Sequence, residues 1–97
     1  MESQVRDYLL SLVDATRQDA ALRAGVSPRG SLALYRVSQA LAAVRNRDYV
    51  IPEDVKEMAP PVFRQRLLLA PDALVRGIKP ERIITSVLER LPAPEYR

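Results

Sequence analysis

The chain has 97 residues, of which 47% are hydrophobic, enough for one small domain with a packed core. Only 5% are aromatic and tryptophan is absent, so an aliphatic core built from helices is favoured. Cysteine and histidine are also absent, which excludes disulfides, thiolate chemistry, and the commonest metal ligand and general base. Since the sequence shows neither a bilayer-spanning apolar run nor a signal-peptide pattern, we expect a cytoplasmic protein without a membrane span.

Lysine and arginine together number 15, against 12 aspartate and glutamate residues, which gives a net charge of +3. The basic residues are interleaved with acidic ones and form no dense run, a pattern typical of solvated helix surfaces. We therefore do not expect a nucleic-acid partner. A helix, a turn and a helix around residues 20–45 nevertheless leave a small basic DNA-binding module open as an alternative, beside a plain protein-interaction module.

The first predicted helix lies in the stretch SQVRDYLLSLVDATRQD. Its apolar residues recur with helical spacing and form one face, which we expect in the core: Val5, Tyr8, Leu9, Leu12 and Val13. From Thr16 to Arg23 the sequence becomes polar, so the helix is predicted to end there.

The strongest helical signal runs from Pro28 to about Arg45 and follows the turn-like stretch AGVSPRGS. Ser27 is predicted to cap this helix, and Pro28 suits its first position because no N–H is needed there. The residues predicted to face the core are Leu34, Val37, Leu41 and Val44, with Ala33 and Ala40 beside them.

A third helix is predicted to start at Pro52, after Tyr49 and Val50, which we expect to form a short linker strand packed on the core. Pro60 and Pro61 are predicted to stop or kink this helix, because neither can donate a helical hydrogen bond. A second short helical piece, VFRQRLLL, is expected to follow.

The last part of the chain contains a brief helical turn from Pro71 to near Gly77 and a final helix from about Pro80 to Leu91. The apolar positions of that helix again have helical spacing: Ile83, Ile84, Val87, Leu88 and Leu91. Together these elements predict an all-α fold, a small bundle of about four to six helices including short ones. It forms one domain of residues 1–97 with a short flexible tail at about 92–97.

Motifs of independent catalysis are absent from the sequence, which has no GxxxxGK[ST] phosphate loop, HExxH, CxxC or Gx[SC]xG turn. Its 12 acidic residues lie mostly at predicted helix starts or on exposed faces, where capping and solvation explain them. We therefore expect no catalytic residue, no metal site, and no enzymatic activity of this chain alone.

Arg29 is the exception to this pattern, because it is predicted in the first turn of the second helix. The backbone N–H groups and the helix dipole make that end positive, so a guanidinium there is unfavourable unless it has a partner. From the residues alone, Arg29 either points into solvent, pairs with a nearby acid, or binds an anion.

The stretch AGVSPRGSLALYRVSQALAAVRNRDYVIPEDVKEMAPPVFRQRLLL resembles the C-terminal lid of the MoxR family of AAA+ ATPases. In that family, a G-[AV]-S-P-R-[AG]-S-L-A-L helix start leads to a GRDYVTPEDV turn and an APPVLRHRL segment. The likeness continues through APDALVRGIKPERIITSVLERLPAP and so covers nearly the whole chain. It implies an all-helical lid packed beside a nucleotide-binding AAA+ core that this chain does not contain, either because the lid was excised, which we expect, or because the core was lost.

The resemblance implies that Arg29 is the sensor 2 residue, which reaches from the lid to the phosphates of ATP. Gly25, Val26, Ser27 and Pro28 would form the turn that presents it. A planar guanidinium on a helix start suits phosphate oxygens. With the phosphate absent, we expect Arg29 to be exposed and poorly partnered, whereas a satisfied ion pair would indicate a structural role.

The resemblance also implies a parent protein that binds ATP with magnesium and hydrolyses it, with neither expected on the isolated domain. The implied partners are the AAA+ core of its own chain, neighbouring subunits of a hexamer, and a client protein of a chaperone-like bacterial assembly. Ile51 stands where the family has a threonine that would cap the third helix, so a weaker cap is expected there.

Overall fold

A computed structural model of the chain describes residues 3–95. This part of the chain forms five helices and two short strands: α1 (Ser3–Arg17), β1 (Leu22–Ala24), α2 (Pro28–Val44), α3 (Pro52–Phe63), β2 (Leu68–Leu69), α4 (Pro71–Val75) and α5 (Pro80–Arg90). The predicted small helical bundle is therefore confirmed, with a small sheet added to it. Of the predicted tail, residues 96 and 97 lie outside the described residues, and residues 92–95 follow α5 without regular secondary structure.

Helices α1 and α5 contribute the faces that their apolar spacing predicts. All five predicted core residues of α1 are buried: Val5, Tyr8, Leu9, Leu12 and Val13. In α5, Ile83, Ile84 and Val87 are buried, while Leu88, and Leu91 just after the helix, are half-buried against the core. Both helices pack against each other and against α3, so the core lies among these three helices.

The predicted core face of α2 is correct at Leu34, which is fully buried, and wrong at Val44. Its buried residues are Gly30, Leu34, Ser38 and Ala42, whereas Val44 is 79% exposed and Val37 and Leu41 are only half-buried. Helix α2 packs chiefly against α3, and the small side chains of Ser38 and Ala42 allow a close approach of the two helices. Ser38 is tolerated there because its hydroxyl donates to the Leu34 carbonyl oxygen at 2.8 Å.

Helix α3 continues through Pro60 and Pro61 to Phe63, so the predicted stop at these prolines is wrong. Each proline removes one helical hydrogen bond, which is unfavourable in a helix interior. Continuing the helix places Val55, Ala59 and Phe63 on one face, and all three are at most 1% exposed. We attribute the persistence of the helix to the apolar burial that this face gains.

The two strands are a feature that the sequence did not predict. β1 and β2 pair antiparallel, with Leu22 opposite Leu69, and Ala70 N–H donates to the Ala21 carbonyl at 2.9 Å. The predicted helical piece VFRQRLLL is therefore wrong, because it contains the end of α3, a turn and β2. The sheet ties the segment after α1 to the segment after α3.

The connection from α2 to α3 turns at Asn46, whose φ of 62° is left-handed and permits a tight helix end. Val50 is buried as predicted, but Tyr49 is 47% exposed and no strand forms there. The Tyr49 ring lies against the Arg47 guanidinium, 5.8 Å from its central carbon, and not in the core.

Within residues 3–95, every helix is too short or too polar to cross a lipid bilayer.

Candidate functional site

The predicted site lies at the start of α2, where Arg29 is the second residue of the helix. Its side chain is exposed, and none of the hydrogen bonds or ion pairs of residues 3–95 involves it. An arginine presented in this way has all its guanidinium donors available to an outside acceptor.

Ser27 and Pro28 begin α2 as the sequence predicts. Ser27 has extended backbone angles, with φ −77° and ψ 167°, and its hydroxyl oxygen accepts a hydrogen bond from Gly30 N–H at 3.2 Å. Pro28 occupies the first helical position. The Ser27 carbonyl also accepts the Ser31 N–H at 3.0 Å, so the first turn is fully formed around Arg29.

Gly25 lies where the turn passes closest to α1. A Cβ atom at this position would be 2.6 Å from the Arg17 backbone nitrogen and 2.7 Å from the Thr16 carbonyl carbon. No side chain fits in that space, since both neighbours are backbone atoms. Gly25 thus permits the close approach of the turn to the end of α1.

Thr16 and Arg17 hold the turn from the other side, and sequence reasoning missed both. The Thr16 hydroxyl accepts a hydrogen bond from Val26 N–H at 3.0 Å, and Arg17 Nε donates to the Val26 carbonyl at 2.9 Å. In the sequence these two residues only mark the polar end of α1. Nothing in the local pattern indicates that they contact a residue about ten positions later.

Arg66 lies over the same helix start. Its Cδ and Nε atoms would be 3.0 Å and 3.8 Å from a Cβ atom on Gly30, and its side chain is exposed. The aliphatic stem of Arg66 therefore covers the first turn of α2 and adds a second cation at its positive end. Arg64 is exposed as well.

The opposite end of α2 has the reverse arrangement, because its arginines are paired with acids. Arg47 makes two hydrogen bonds to the fully buried Asp54 carboxylate, and Arg45 bonds Glu57 at 2.5 Å. Burial by itself raises the pKa of Asp54, but hydrogen bonds from Arg47 and from Ile51 N–H outweigh it and hold that pKa below its usual value. The hydrogen bond from Arg45 likewise lowers the pKa of Glu57.

Asp54 also contacts Ile51, the residue at which a weaker helix cap is expected. Ile51 precedes α3 and makes no side-chain cap, as expected, but its backbone N–H donates to Asp54 Oδ2 at 3.0 Å. This contact is one half of a capping box, and the half that a threonine hydroxyl would supply is absent.

Metal-binding side chains are dispersed in the described part of the chain. Among residues 3–95, no three aspartate or glutamate residues lie close enough together to hold a metal ion. The chemistry that the helix start offers is therefore chiefly that of the arginine guanidinium toward an anion.

Comparison with known proteins shows the family to which the chain belongs. Residues 14–87 match the family model of the AAA lid domain, and the chain belongs to that family. Chaperone MoxR1 of Mycobacterium tuberculosis is 43% identical over 98 residues, covering 92% of this chain and 26% of that protein. Protein YeaC of Bacillus subtilis is 38% identical over 96 residues, covering 99% of this chain and 30% of that protein.

One solved structure supports a narrower classification of the chain. A crystal structure of a candidate ATPase from Cytophaga hutchinsonii matches 97% of this chain, with a TM-score of 0.87 and 32% identity. With the relatives named MoxR, this match identifies the chain as the C-terminal lid domain of a MoxR-type AAA+ ATPase, in agreement with the sequence resemblance. The chain spans only 26%, 30% and 31% of the three proteins described.

Proposed function

We propose that this lid contributes the sensor 2 arginine to the ATP site of a MoxR-type AAA+ ATPase, and that this residue is Arg29. The observation that carries the proposal is the exposed Arg29 side chain, without a partner among residues 3–95, on a capped and tightly packed helix start. A positive side chain on the positive end of a helix is favourable only when an anion is nearby, and phosphate oxygens suit a guanidinium.

The residues of the turn fit a phosphate group. Arg29 is exposed, and Ser27 and Pro28 fix the helix start that carries it. When bound at the core, ATP with magnesium would supply the phosphoryl bond to be broken. Arg29 would bind and orient the phosphate oxygens. This contact would hold the lid against the core until the charge of the bound phosphates changes.

We propose that the partners of the lid are the AAA+ core of its own chain and neighbouring subunits, in a ring expected to be a hexamer. The name of the M. tuberculosis relative, a chaperone, supports a role in a chaperone-like bacterial assembly that acts on a client protein. We expect that assembly in the cytoplasm.

The test is Arg29→Ala in the complete ATPase, with the AAA+ core present, measured as steady-state ATP turnover. We expect kcat to fall about a hundredfold, as when one preorganised donor is removed from a developing charge. Arg29→Lys should recover part of the activity, because a lysine keeps the charge but loses the two-point contact. Circular dichroism and thermal unfolding should match the wild type.

The matched control is Arg82→Ala, which removes an exposed arginine from α5. It should leave both turnover and folding unchanged. Normal ATP turnover of a folded Arg29→Ala protein would contradict the role proposed for Arg29.

A further inference from the structure

The last turn of α1 holds the backbone of Val26 at both of its polar groups. The Thr16 hydroxyl accepts from Val26 N–H at 3.0 Å and donates to the Val13 carbonyl at 2.6 Å, while Arg17 Nε donates to the Val26 carbonyl at 2.9 Å. Thr16 is 0% exposed, so its hydrogen bonds are shielded from water. A residue in a loop is thus bonded as fully as one inside a helix.

Side-chain packing also restrains Val26. The Val26 side chain is 0% exposed, and its Cγ1 atom would lie 2.7 Å from a Cβ on Gly30, which leaves no free space toward α2. Gly25, just before it, touches the backbone of α1 too closely to accept a side chain. The turn therefore has little room to move relative to α1.

We propose that Thr16 and Arg17 are positioning residues for Arg29. This inference rests on the function proposed for Arg29 above. Only Ser27 and Pro28 separate Val26 from Arg29, and both have restricted backbones, one through its capping bond and the other through its ring. A displacement of Val26 is therefore passed on to Arg29, so α1 sets where the guanidinium meets the phosphate.

A mechanical consequence follows for the lid. With the turn bonded to α1, Arg29 moves with the whole bundle and not as a separate loop. A change at the phosphate that displaces Arg29 therefore also displaces α1, and movement of the bundle carries Arg29 with it. Loosening the bond between Thr16 and Val26 would uncouple the two.

The first measurement is amide hydrogen exchange of Val26 in the 97-residue chain. Thr16→Val keeps the shape of the side chain but removes the acceptor, and the Val26 amide should exchange about tenfold faster or more. Thr16→Ser keeps the hydroxyl and should retain protection. The matched control is Ser38→Ala, which removes another buried hydroxyl bond, within α2, and should leave Val26 exchange unchanged.

The second measurement is ATP turnover of the complete ATPase, with the AAA+ core present and below the unfolding temperature. In Thr16→Val, kcat should fall about tenfold while KM for ATP changes less, because a misplaced group costs orientation. Thr16→Ser should recover kcat, and Ser38→Ala should keep it. Adding Thr16→Val to Arg29→Ala should cause no further loss, since the positioned group is already gone.

The outcomes separate the two proposals. Wild-type turnover in Arg29→Ala would remove the proposed function of Arg29, and with it the reason to position that residue. If Arg29→Ala is impaired but Thr16→Val has normal kcat despite rapid Val26 exchange, the positioning role of Thr16 is wrong. It is also wrong if Thr16→Val leaves Val26 exchange unchanged, or if its loss multiplies with that of Arg29→Ala.

Discussion

Arg47 makes two parallel hydrogen bonds to the fully buried carboxylate of Asp54, from Nη1 to Oδ2 at 2.6 Å and from Nη2 to Oδ1 at 2.7 Å. Arg47 follows the end of α2, and Asp54 lies in the first turn of α3. A two-point contact fixes orientation as well as distance, so this pair sets how the two helices meet.

Asp54→Asn should therefore destabilise the chain. The substitution keeps the size of the fully buried side chain but removes its charge and one of its two acceptor atoms, which we expect to lower the free energy of unfolding by about 2 kcal/mol. Urea unfolding followed by circular dichroism measures this change. Glu57→Gln is the control, because it removes an exposed ion pair with Arg45 and should have little effect. Equal stability of the two variants would contradict the importance assigned to Asp54.

The same pair predicts how stability depends on pH. The pKa of Asp54 is lowered in the folded chain, so the folded state holds this proton less strongly than the unfolded state does. Its contribution to stability is then fully present above the ordinary carboxyl pKa, about 4, and is lost as the pH falls through the lower folded value. Urea unfolding between neutral and acid pH should show this loss in the wild type. Asp54→Asn should show less of it, and parallel curves for the two proteins would contradict the assignment.

The features that the sequence predicted correctly are those decided by neighbouring residues. The core face of α1 depends on helical spacing alone, so its buried residues could be identified from the pattern. The start of α2 depends on Ser27 and Pro28, whose side chains act within the same turn. The position of Arg29 in the first turn follows from that start. Its role as the sensor 2 residue is a prediction from the family resemblance.

The features that sequence reasoning missed depend on residues far apart in the chain. Ser38 and Ala42 lie on the buried face of α2 because α3 approaches closely there, and hydrophobicity favoured Val44 over both. The pairing of β1 with β2 joins segments of two or three residues, too short to show any periodicity. Thr16 was missed because its partner, Val26, lies ten positions later in the chain, and the two residues meet only in the folded structure.

Tyr8→Phe should stabilise the chain or leave its stability unchanged. The Tyr8 hydroxyl is buried and has no hydrogen-bond partner in residues 3–95, so deleting it removes a desolvated polar atom, with an expected gain of up to about 1 kcal/mol at neutral pH. Urea unfolding of the two proteins at pH 7 measures the difference. A clear loss of stability would indicate that the hydroxyl has a partner, such as a buried water.

Alkaline pH should destabilise the wild-type chain through the same residue. Burial, and secondarily the negative charge of Glu53, raise the pKa of Tyr8 from 10.0 to about 12. Between these values the unfolded chain releases the phenolic proton while the folded chain retains it, so stability falls as the pH rises through this range. Tyr8→Phe should reduce the fall, and the control Tyr35→Phe should keep it. Unfolding curves from pH 9 to 12 measure both effects.

Gly25→Ala and Gly77→Ala should both destabilise the chain, but for different reasons. At Gly25 the new methyl group would lie 2.6 Å from a backbone atom of Arg17, so either α1 or the turn must shift, at a cost of about 2 kcal/mol. At Gly77 nothing lies within 4 Å, but its φ of +74° is unfavourable for alanine by about 1 kcal/mol. Urea unfolding measures both losses, and the amide resonance of Val26 distinguishes them, because only Gly25→Ala disturbs the turn that carries Arg29. Wild-type stability and an unchanged Val26 resonance in Gly25→Ala would show that α1 and the turn are not in close contact.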